Sequence, residues 1–283
     1  MDRTSSACST LSPVELRPLG TSGIDVPVIG MGTWRTLDVR DPREVAHRAT
    51  VVDAALACGT NLFDSSPMYG AAEHVLGAAL DGRRDQAIVA TKVWTPDDEE
   101  AERQIERAMA YYANKVDVYQ VHNLVALPAR LKRLEELRDE QRVTSVGITH
   151  YEHSAYPTLM DTMRSGRVTC VQVPYNAADH SIEAQLLPLA AERNIGVIIM
   201  RPLGAGNLAR QRPSPEQLRP FAEFGVQTWT QVLLKWLLSD PRVTTVIPAT
   251  SSPEHARANA AAGSPPWFGP AERAAAVRLA SEL

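Results

Sequence analysis

Asn61-Leu-Phe-Asp-Ser-Ser-Pro-Met-Tyr-Gly70 is the stretch of sequence that decides the fold. Residues 61–63 are predicted to form a short buried strand that ends on Asp64. A turn rich in Ser and Pro leads to Tyr69, and a helical pattern follows over 71–80. A strand that passes through a short loop into a helix is the repeating unit of parallel α/β folds.

The same unit recurs along the chain. Further strands are predicted at 28–32, 88–91, 117–121, 145–148, 170–173, 196–200 and 243–247, and most are followed by a helical pattern. Turn residues within 16–28 indicate an additional β-hairpin. Eight βα units predict an α/β fold, a (β/α)8 TIM barrel with an N-terminal β-hairpin.

The predicted barrel occupies residues 15–283 as a single domain, after a flexible N-terminal tail over 1–14. The competing architecture is a pair of doubly wound domains. No Gly-x-Gly-x-x-Gly motif opens a helix in this sequence, which disfavours that architecture. The longest irregular stretch, 204–225, is expected to form a loop over the active face.

Composition excludes several classes of partner. The 283 residues carry a formal net charge of −4, which gives no electrostatic reason to bind nucleic acid or an anionic membrane. No apolar run reaches the roughly 18 residues that a membrane-spanning helix needs. Cys8, Cys58 and Cys170 are odd in number and widely spaced, which predicts a reducing compartment without disulfides. We therefore expect a cytoplasmic protein in which Cys58 and Cys170 are small core residues.

Three successive predicted strands are followed by Asp64, Lys92 and His122, and Tyr69 comes shortly after Asp64. The active site of a (β/α)8 barrel lies at these strand ends. A nearby ammonium lowers the pKa of a phenol, and a carboxylate keeps that ammonium charged. An imidazole beside them can orient a carbonyl. Each residue alone has a structural explanation, as a turn cap, a wall residue, a solvated charge or a hydrogen-bonded loop residue. Their coincidence at matching strand ends favours a catalytic group in which Tyr69 donates a proton to a carbonyl oxygen.

Over nearly the whole chain, the sequence resembles the aldo-keto reductase superfamily. The resemblance is carried by Asp64-x-x-x-x-Tyr69-Gly70 with Glu73 and Gly77, by Thr91-Lys92, by Val121-His122-Asn123, by Gly30-Met-Gly-Thr-Trp34, and by Ile247-Pro248 with Asn259. It implies that Asp64, Tyr69, Lys92 and His122 are the catalytic tetrad. It also implies that NAD(P)H binds across the barrel mouth without a Rossmann domain.

The resemblance further implies a set of cofactor contacts. They are Thr149, His150, Gln172, Met200, Arg201, Leu203, Gly204, Thr250, Ser251, His255 and Asn259. His150 stands where the family usually has Asn, and Met200-Arg201 replace an aromatic residue followed by Ser. Ala249 replaces a Lys that NADPH-specific relatives often carry. NADPH is the expected cofactor, and NADH stays the open alternative.

Trp34, Trp94 and Asn123 are the predicted substrate contacts, and no metal site is expected. Trp267 and Phe268 either cover the pocket or pack in the core. These residues predict an NAD(P)H-dependent reductase of a small aldehyde or ketone. The alternative is a protein of the same fold that binds the cofactor as a regulatory subunit. A metal-dependent hydrolase is disfavoured because no His-x-His follows the first barrel strand. The oligomeric state is left open.

Overall fold

The structure is a computed structural model that describes residues 12–283. Its first two strands, β1 (Leu16–Pro18) and β2 (Asp25–Pro27), form the predicted antiparallel hairpin. Of the predicted N-terminal tail, residues 1–11 lie outside the described part of the chain. Val14 already packs against the core, so the packed chain begins at or before the last residue assigned to that tail.

The other strands form the parallel sheet of a barrel, as predicted. Eight strands in the described residues pair in sequence order. Bridges from Ile29 to Val246 and from Gly32 to Ala249 join the first strand to the last. These strands are β3 (Met31–Gly32), β4 (Leu62–Asp64), β5 (Ile88–Val93), β6 (Val116–His122), β7 (Val143–Thr149), β8 (Cys170–Pro174), β9 (Gly196–Met200) and β10 (Thr245–Val246).

The hairpin closes the N-terminal end of the barrel. Leu19 and Val26 are fully buried and share a cluster with inward-facing barrel residues such as Val118. Gly20 lies against the backbone that precedes β8. It has a φ of +57°, and a Cβ at this position would lie 2.4 Å from the carbonyl oxygen of Thr169. Glycine is therefore required where the hairpin meets the barrel.

Helices surround the barrel. They are α1 (Pro42–Ala57), α2 (Ala72–Ala79), α3 (Asp98–Tyr111), α4 (Leu127–Asp139), α5 (Tyr156–Arg164), α6 (Leu186–Glu192), α7 (Pro215–Leu218), α8 (Trp229–Leu238), α9 (Pro253–Ala260) and α10 (Pro270–Glu282). Local sequence sets their starts. The side chain of Asp41 accepts hydrogen bonds from the first N–H groups of α1, and Thr228 and Gln231 form a capping box on α8.

Three local features differ from the sequence analysis. Strand β5 continues to Val93, so Lys92 lies inside the strand and not after it. The stretch 204–225 contains short 3-10 turns and the one-turn helix α7. Helix α10 was not predicted; the indole of Trp236 on α8 donates a hydrogen bond to the carbonyl oxygen of Arg273 on α10.

The cysteine predictions are only partly correct. Cys170 is a buried free thiol, as expected of a core residue. Cys58 is half-buried and disulfide-bonded, so the prediction of a core thiol is wrong at this position. The disulfide at Cys58 removes the reason for expecting a reducing compartment, which was that the cysteines would be unpaired. Among residues 12–283, no helix has both the length and the apolar character needed to cross a bilayer.

Candidate active site

A cavity of about 880 Å³ opens at the C-terminal ends of the barrel strands. Most of the predicted site residues meet there. Those that line it are Trp34, Asp64, Tyr69, His122, Asn123, Thr149, Gln172, Met200, Arg201, Leu203, Thr250, His255 and Asn259. The strand register explains part of this convergence, because His122, Thr149 and Gln172 pair in one row across β6, β7 and β8.

Lys92 and Asp64 form a buried ion pair beneath the cavity. The ammonium nitrogen of Lys92 lies 2.9 and 2.8 Å from the two carboxylate oxygens of Asp64, and it also donates to the carbonyl oxygen of Ser65 at 2.7 Å. Burial is the largest single effect and works to lower the pKa of Lys92, but the charges and hydrogen bonds of Asp64 and Tyr69 together outweigh it and raise the pKa. Burial also raises the pKa of Asp64, against the effect of Lys92. We take the pair as ionised because both carboxylate oxygens contact the ammonium.

Tyr69 lies above this pair, in the loop between β4 and α2. Its ring centroid is 5.1 Å from the ammonium nitrogen of Lys92 and 6.0 Å from the ring of His122. Burial raises the pKa of Tyr69, and the nearby charge of Lys92 lowers it by a smaller amount. The ammonium therefore acts in the predicted direction, but desolvation dominates and the phenol stays protonated. A protonated phenol beside an ammonium can act as an acid.

His122 is the last residue of β6 and is neutral. Burial, with a smaller effect from the charge of Lys92, lowers its pKa to about 2. Its Nδ1 atom lies 2.9 Å from the hydroxyl oxygen of Ser66. The other ring nitrogen is thus available to a group in the cavity that the imidazole lines.

A second buried carboxyl lies behind β5. Glu73, on α2, accepts a hydrogen bond from the hydroxyl of Thr91. Burial raises the pKa of Glu73 to about 7. Thr91 directly precedes Lys92 on β5, so the hydrogen bond between Glu73 and Thr91 lies next to the ion pair of Lys92 and Asp64. Glu73 does not line the cavity.

Gln172 connects the floor of the cavity to the ion pair. Its amide nitrogen donates to Asp64 at 3.4 Å. Its side-chain oxygen is buried and has no hydrogen-bond partner in the described residues. A buried amide oxygen without a partner is costly, so this atom is a ready acceptor for a ligand donor. A nicotinamide carboxamide carries such a donor.

The turn after β9 presents Arg201 to the mouth of the cavity. Arg201 has a φ of +51°, a conformation that side chains other than glycine seldom adopt. The amide of Asn176 donates to its carbonyl oxygen at 3.2 Å and holds the turn. The guanidinium lies 4.9 Å from the ring centroid of Tyr151. A cation held in this way can pair with a phosphate.

Several predicted contacts lie outside the lining of the cavity. His150 stacks on Tyr151 and accepts a hydrogen bond from the backbone of Glu152. Gly204 and Ser251 do not contribute to the lining. Trp94 is 40% exposed and its backbone is hydrogen-bonded to Gln104, on the outer side of the barrel.

The two aromatic residues near the C-terminus pack away from the cavity. Phe268 is buried against Phe221 and Phe224. The indole of Trp267 donates to Glu15, beside the hairpin. Both contacts fit the packing alternative.

Several lining residues were missed by the sequence analysis, among them Arg35, Met68, Tyr151 and Arg212. Arg35 and Tyr151 closely follow the C-terminal ends of β3 and β7 in the sequence. This proximity could have indicated that they line the cavity. Met68 precedes Tyr69 in the same loop. Arg212 belongs to the stretch 204–225, where neither periodicity nor a turn motif indicated its position.

Comparison with known proteins identifies the family. The sequence model described as the Aldo/keto reductase family matches residues 28–267. Methylglyoxal reductase YeaE of Escherichia coli is 26% identical over 84% of this chain and 86% of its own length. Aldo-keto reductase YhdN of Bacillus subtilis is 28% identical over 69% of this chain, and the match spans 64% of that protein. A crystal structure of an aldo/keto reductase from Klebsiella pneumoniae in complex with NADP and acetate superimposes with a TM-score of 0.79 at 26% identity, covering 92% of this chain and 93% of the other. The chain therefore belongs to the aldo/keto reductase family of NAD(P)H-dependent oxidoreductases.

Proposed function

We propose that this protein reduces the carbonyl group of an aldehyde or ketone with NADPH, and that Tyr69 is the general acid. The observation that carries the proposal is the convergence of Tyr69 and His122 at one wall of the cavity, above the buried ion pair of Lys92 and Asp64. The NADP-bound relative from Klebsiella pneumoniae and the methylglyoxal reductase of Escherichia coli support the cofactor and the reaction class.

Proton donation by Tyr69 depends on the buried ammonium. Reduction places negative charge on the substrate oxygen, and the phenol loses its proton to that oxygen. The phenolate that remains lies next to the charge of Lys92, which favours it over the neutral phenol. Asp64 holds the ammonium in place and charged. Because the pair is buried, its effect on Tyr69 is only weakly screened by water.

Neutral His122 is suited to orient the carbonyl. An imidazolium in this position would repel Lys92 and would compete with Tyr69 as proton donor. The low pKa of His122, caused mainly by burial, prevents this. Its pocket-facing nitrogen and the phenol of Tyr69 can then contact the same substrate oxygen.

The residues present fit a nicotinamide cofactor. Gln172 offers its unpartnered side-chain oxygen to the carboxamide, and Thr149 adds a buried hydroxyl beside it. Arg201 stands at the mouth, where it would pair with a phosphate. When bound, the reduced nicotinamide supplies the hydride that the carbonyl carbon receives.

Three lining residues bear on the choice of cofactor. They are Thr250, His255 and Arg212, and none of the lysines in residues 12–283 lines the cavity. The hydroxyl, the imidazole and the guanidinium suit the 2′-phosphate of NADPH. Dissociation constants of NADPH and NADH check this assignment, and a preference for NADH above about tenfold, roughly 1.4 kcal/mol, would contradict it.

Part of the cavity lining is apolar. Trp34, Met68 and Tyr151 belong to it, and Trp34 and Met68 are 39% and 40% exposed. An apolar wall beside a few polar groups suits a small carbonyl compound with a nonpolar body.

Tyr69→Phe tests the mechanism. The variant keeps the ring and removes only the acidic proton, so kcat for aldehyde reduction should fall by about 10²–10⁴-fold while the dissociation constant of NADPH stays the same. Tyr156→Phe is the matched control, because the hydroxyl of Tyr156 is hydrogen-bonded to Ser181 and Tyr156 does not line the cavity. Cofactor oxidation is followed with a panel of aldehydes and ketones. Full activity of Tyr69→Phe would refute the assigned role, and no turnover of any carbonyl by the unaltered enzyme would refute the function.

A further inference from the structure

A buried hydroxyl lies against the catalytic imidazole and has no part in the mechanism above. The hydroxyl oxygen of Ser66 is 2.9 Å from Nδ1 of His122. Ser66 is fully buried and His122 is 6% exposed, so water does not compete for this contact. Ser66 lies in the loop after β4 and His122 ends β6, on either side of the strand that carries Lys92.

The direction of this hydrogen bond follows from the other contact of Ser66. The backbone N–H of Met68 donates to the hydroxyl oxygen at 3.3 Å. A hydroxyl has one hydrogen and two lone pairs. If Nδ1 also donated to this oxygen, the hydroxyl hydrogen would need a further acceptor. The hydrogen bonds of residues 12–283 include none for it besides Nδ1.

A buried donor without an acceptor is costly, so the arrangement with the hydroxyl donating to Nδ1 is favoured. Nδ1 is then the unprotonated nitrogen of the ring. His122 is neutral, which leaves its single proton on Nε2. Nε2 is the nitrogen left free to face the cavity.

We propose that Ser66 is a positioning residue that fixes His122 as the Nε2–H tautomer, so that the imidazole donates a hydrogen bond to the substrate carbonyl oxygen. The inference rests on the proposed function for its consequence, but the tautomer itself is a property of the protein alone. With Nε2–H and the phenol of Tyr69 both donating, the substrate oxygen receives two hydrogen bonds as negative charge develops on it. The opposite tautomer would present a lone pair to that oxygen and repel it.

Nitrogen chemical shifts of the imidazole test the tautomer directly. In protein labelled with ¹⁵N-histidine, the His122 signals are identified by their loss in His122→Gln. We expect the Nε2 resonance to be that of a protonated nitrogen and Nδ1 that of an unprotonated one, with and without NADP⁺. A protonated Nδ1 in the unaltered protein would overturn the proposal whether or not the enzyme reduces carbonyls, and this separates its failure from failure of the proposed function.

Kinetics of Ser66→Ala test the consequence. Removing the hydroxyl should lower kcat by roughly tenfold, as expected for the loss of one hydrogen bond, and should mix the two tautomers in the spectrum. The dissociation constant of NADPH should not change. Ser66→Thr, which keeps a hydroxyl, should restore both the tautomer and most of kcat.

Ser145→Ala is the matched control. Ser145 is also fully buried, and its hydroxyl bonds to Thr169, away from the cavity. It reports the effect of deleting a buried serine hydroxyl in this fold, and kcat should be unchanged. Equal losses of kcat in Ser66→Ala and Ser145→Ala, or an unchanged tautomer in Ser66→Ala, would overturn the proposal.

Discussion

Lys92→Met should destabilise the protein chiefly through the carboxylate that it leaves behind. The ammonium is 1% exposed and donates three hydrogen bonds, two of them to Asp64 at 2.9 and 2.8 Å. Without it, the Asp64 carboxylate keeps, within residues 12–283, the long contacts from the amides of Gln120 and Gln172, at 3.5 and 3.4 Å. Removing one partner of a buried ion pair costs about 3–5 kcal/mol, and we expect a loss of stability in that range.

Adding Asp64→Asn to Lys92→Met should recover much of that loss. The double variant contains no buried charge at this position, whereas each single variant contains one. The coupling free energy between the two substitutions should therefore be about 2–3 kcal/mol, at the upper end of values for residues in contact. Turnover should be absent in all three variants, so stability and activity separate.

Urea unfolding with linear extrapolation gives the required free energies. The ion pair between Arg164 and Asp161 is the control, because the two side chains are 51% and 77% exposed and lie 2.8 Å apart. Its cycle, with Arg164→Met and Asp161→Asn, should give a coupling of about 0.5 kcal/mol or less. A buried-pair coupling no larger than the control would refute the reasoning.

Three further predictions concern stability and substrate recognition. Burial raises the pKa of Glu73 from 4.5 to about 7, so its neutral form stabilises the fold fully below the unfolded pKa and this contribution is lost as pH rises through 7. Relative to Glu73→Gln, the unaltered protein should lose roughly 3 kcal/mol of unfolding free energy between pH values of about 4 and 8, and a constant difference would contradict this. In urea unfolding, Gly20→Ala should lower the free energy of unfolding by about 1–3 kcal/mol more than Gly23→Ala. Both positions have positive φ, but of the two only a Cβ at Gly20 would meet backbone atoms within 3 Å. Equal losses of unfolding free energy would exclude this clash. Trp34→Ala should raise KM for bulky aldehydes by about tenfold, and Trp94→Ala should leave KM unchanged. The two side chains are about equally exposed, but of the two only Trp34 lines the cavity. A higher KM in Trp94→Ala and an unchanged KM in Trp34→Ala would instead make Trp94 the substrate contact.

The positions of residues at the C-terminal ends of strands could be predicted from the sequence. Asp64 and His122 follow short apolar runs, and parallel strands present their C-terminal ends on the same face. The barrel fold was predicted from the same repeated pattern of short apolar strands. Lys92 was placed correctly near its partners although β5 continues one residue past it, because its inward side is set by the alternation of the strand.

Positions set by long-range packing were not predictable. Trp94 follows β5 closely, but its backbone N–H donates to the side chain of Gln104 and its carbonyl oxygen accepts from the same side chain, which ties this part of the chain to α3. Tyr151 follows β7 in a similar way and does reach the cavity, where Arg201 stacks on it. Sequence spacing is nearly the same in the two cases, and only tertiary contacts distinguish them.

Helix α10 was missed because its pattern is weak. Its buried face is made largely of alanine, such as Ala276 and Ala280, which gives little periodic contrast with the exposed face. Pro270 at its start and Glu272 in its first turn were the available signals.

The hairpin that closes the barrel has a consequence for how the chain is made. It is synthesised before the barrel strands, yet the guanidinium of Arg17 donates to the carbonyl oxygens of Leu238 and Val243, 221 and 226 residues later. Contacts this distant in sequence cannot form on a ribosome until the chain through Val243 has emerged. Nascent chains that stop before β8 would leave Leu19 and Val26 exposed to solvent. Chaperones should therefore bind such fragments and release them only after the last barrel strands have been synthesised.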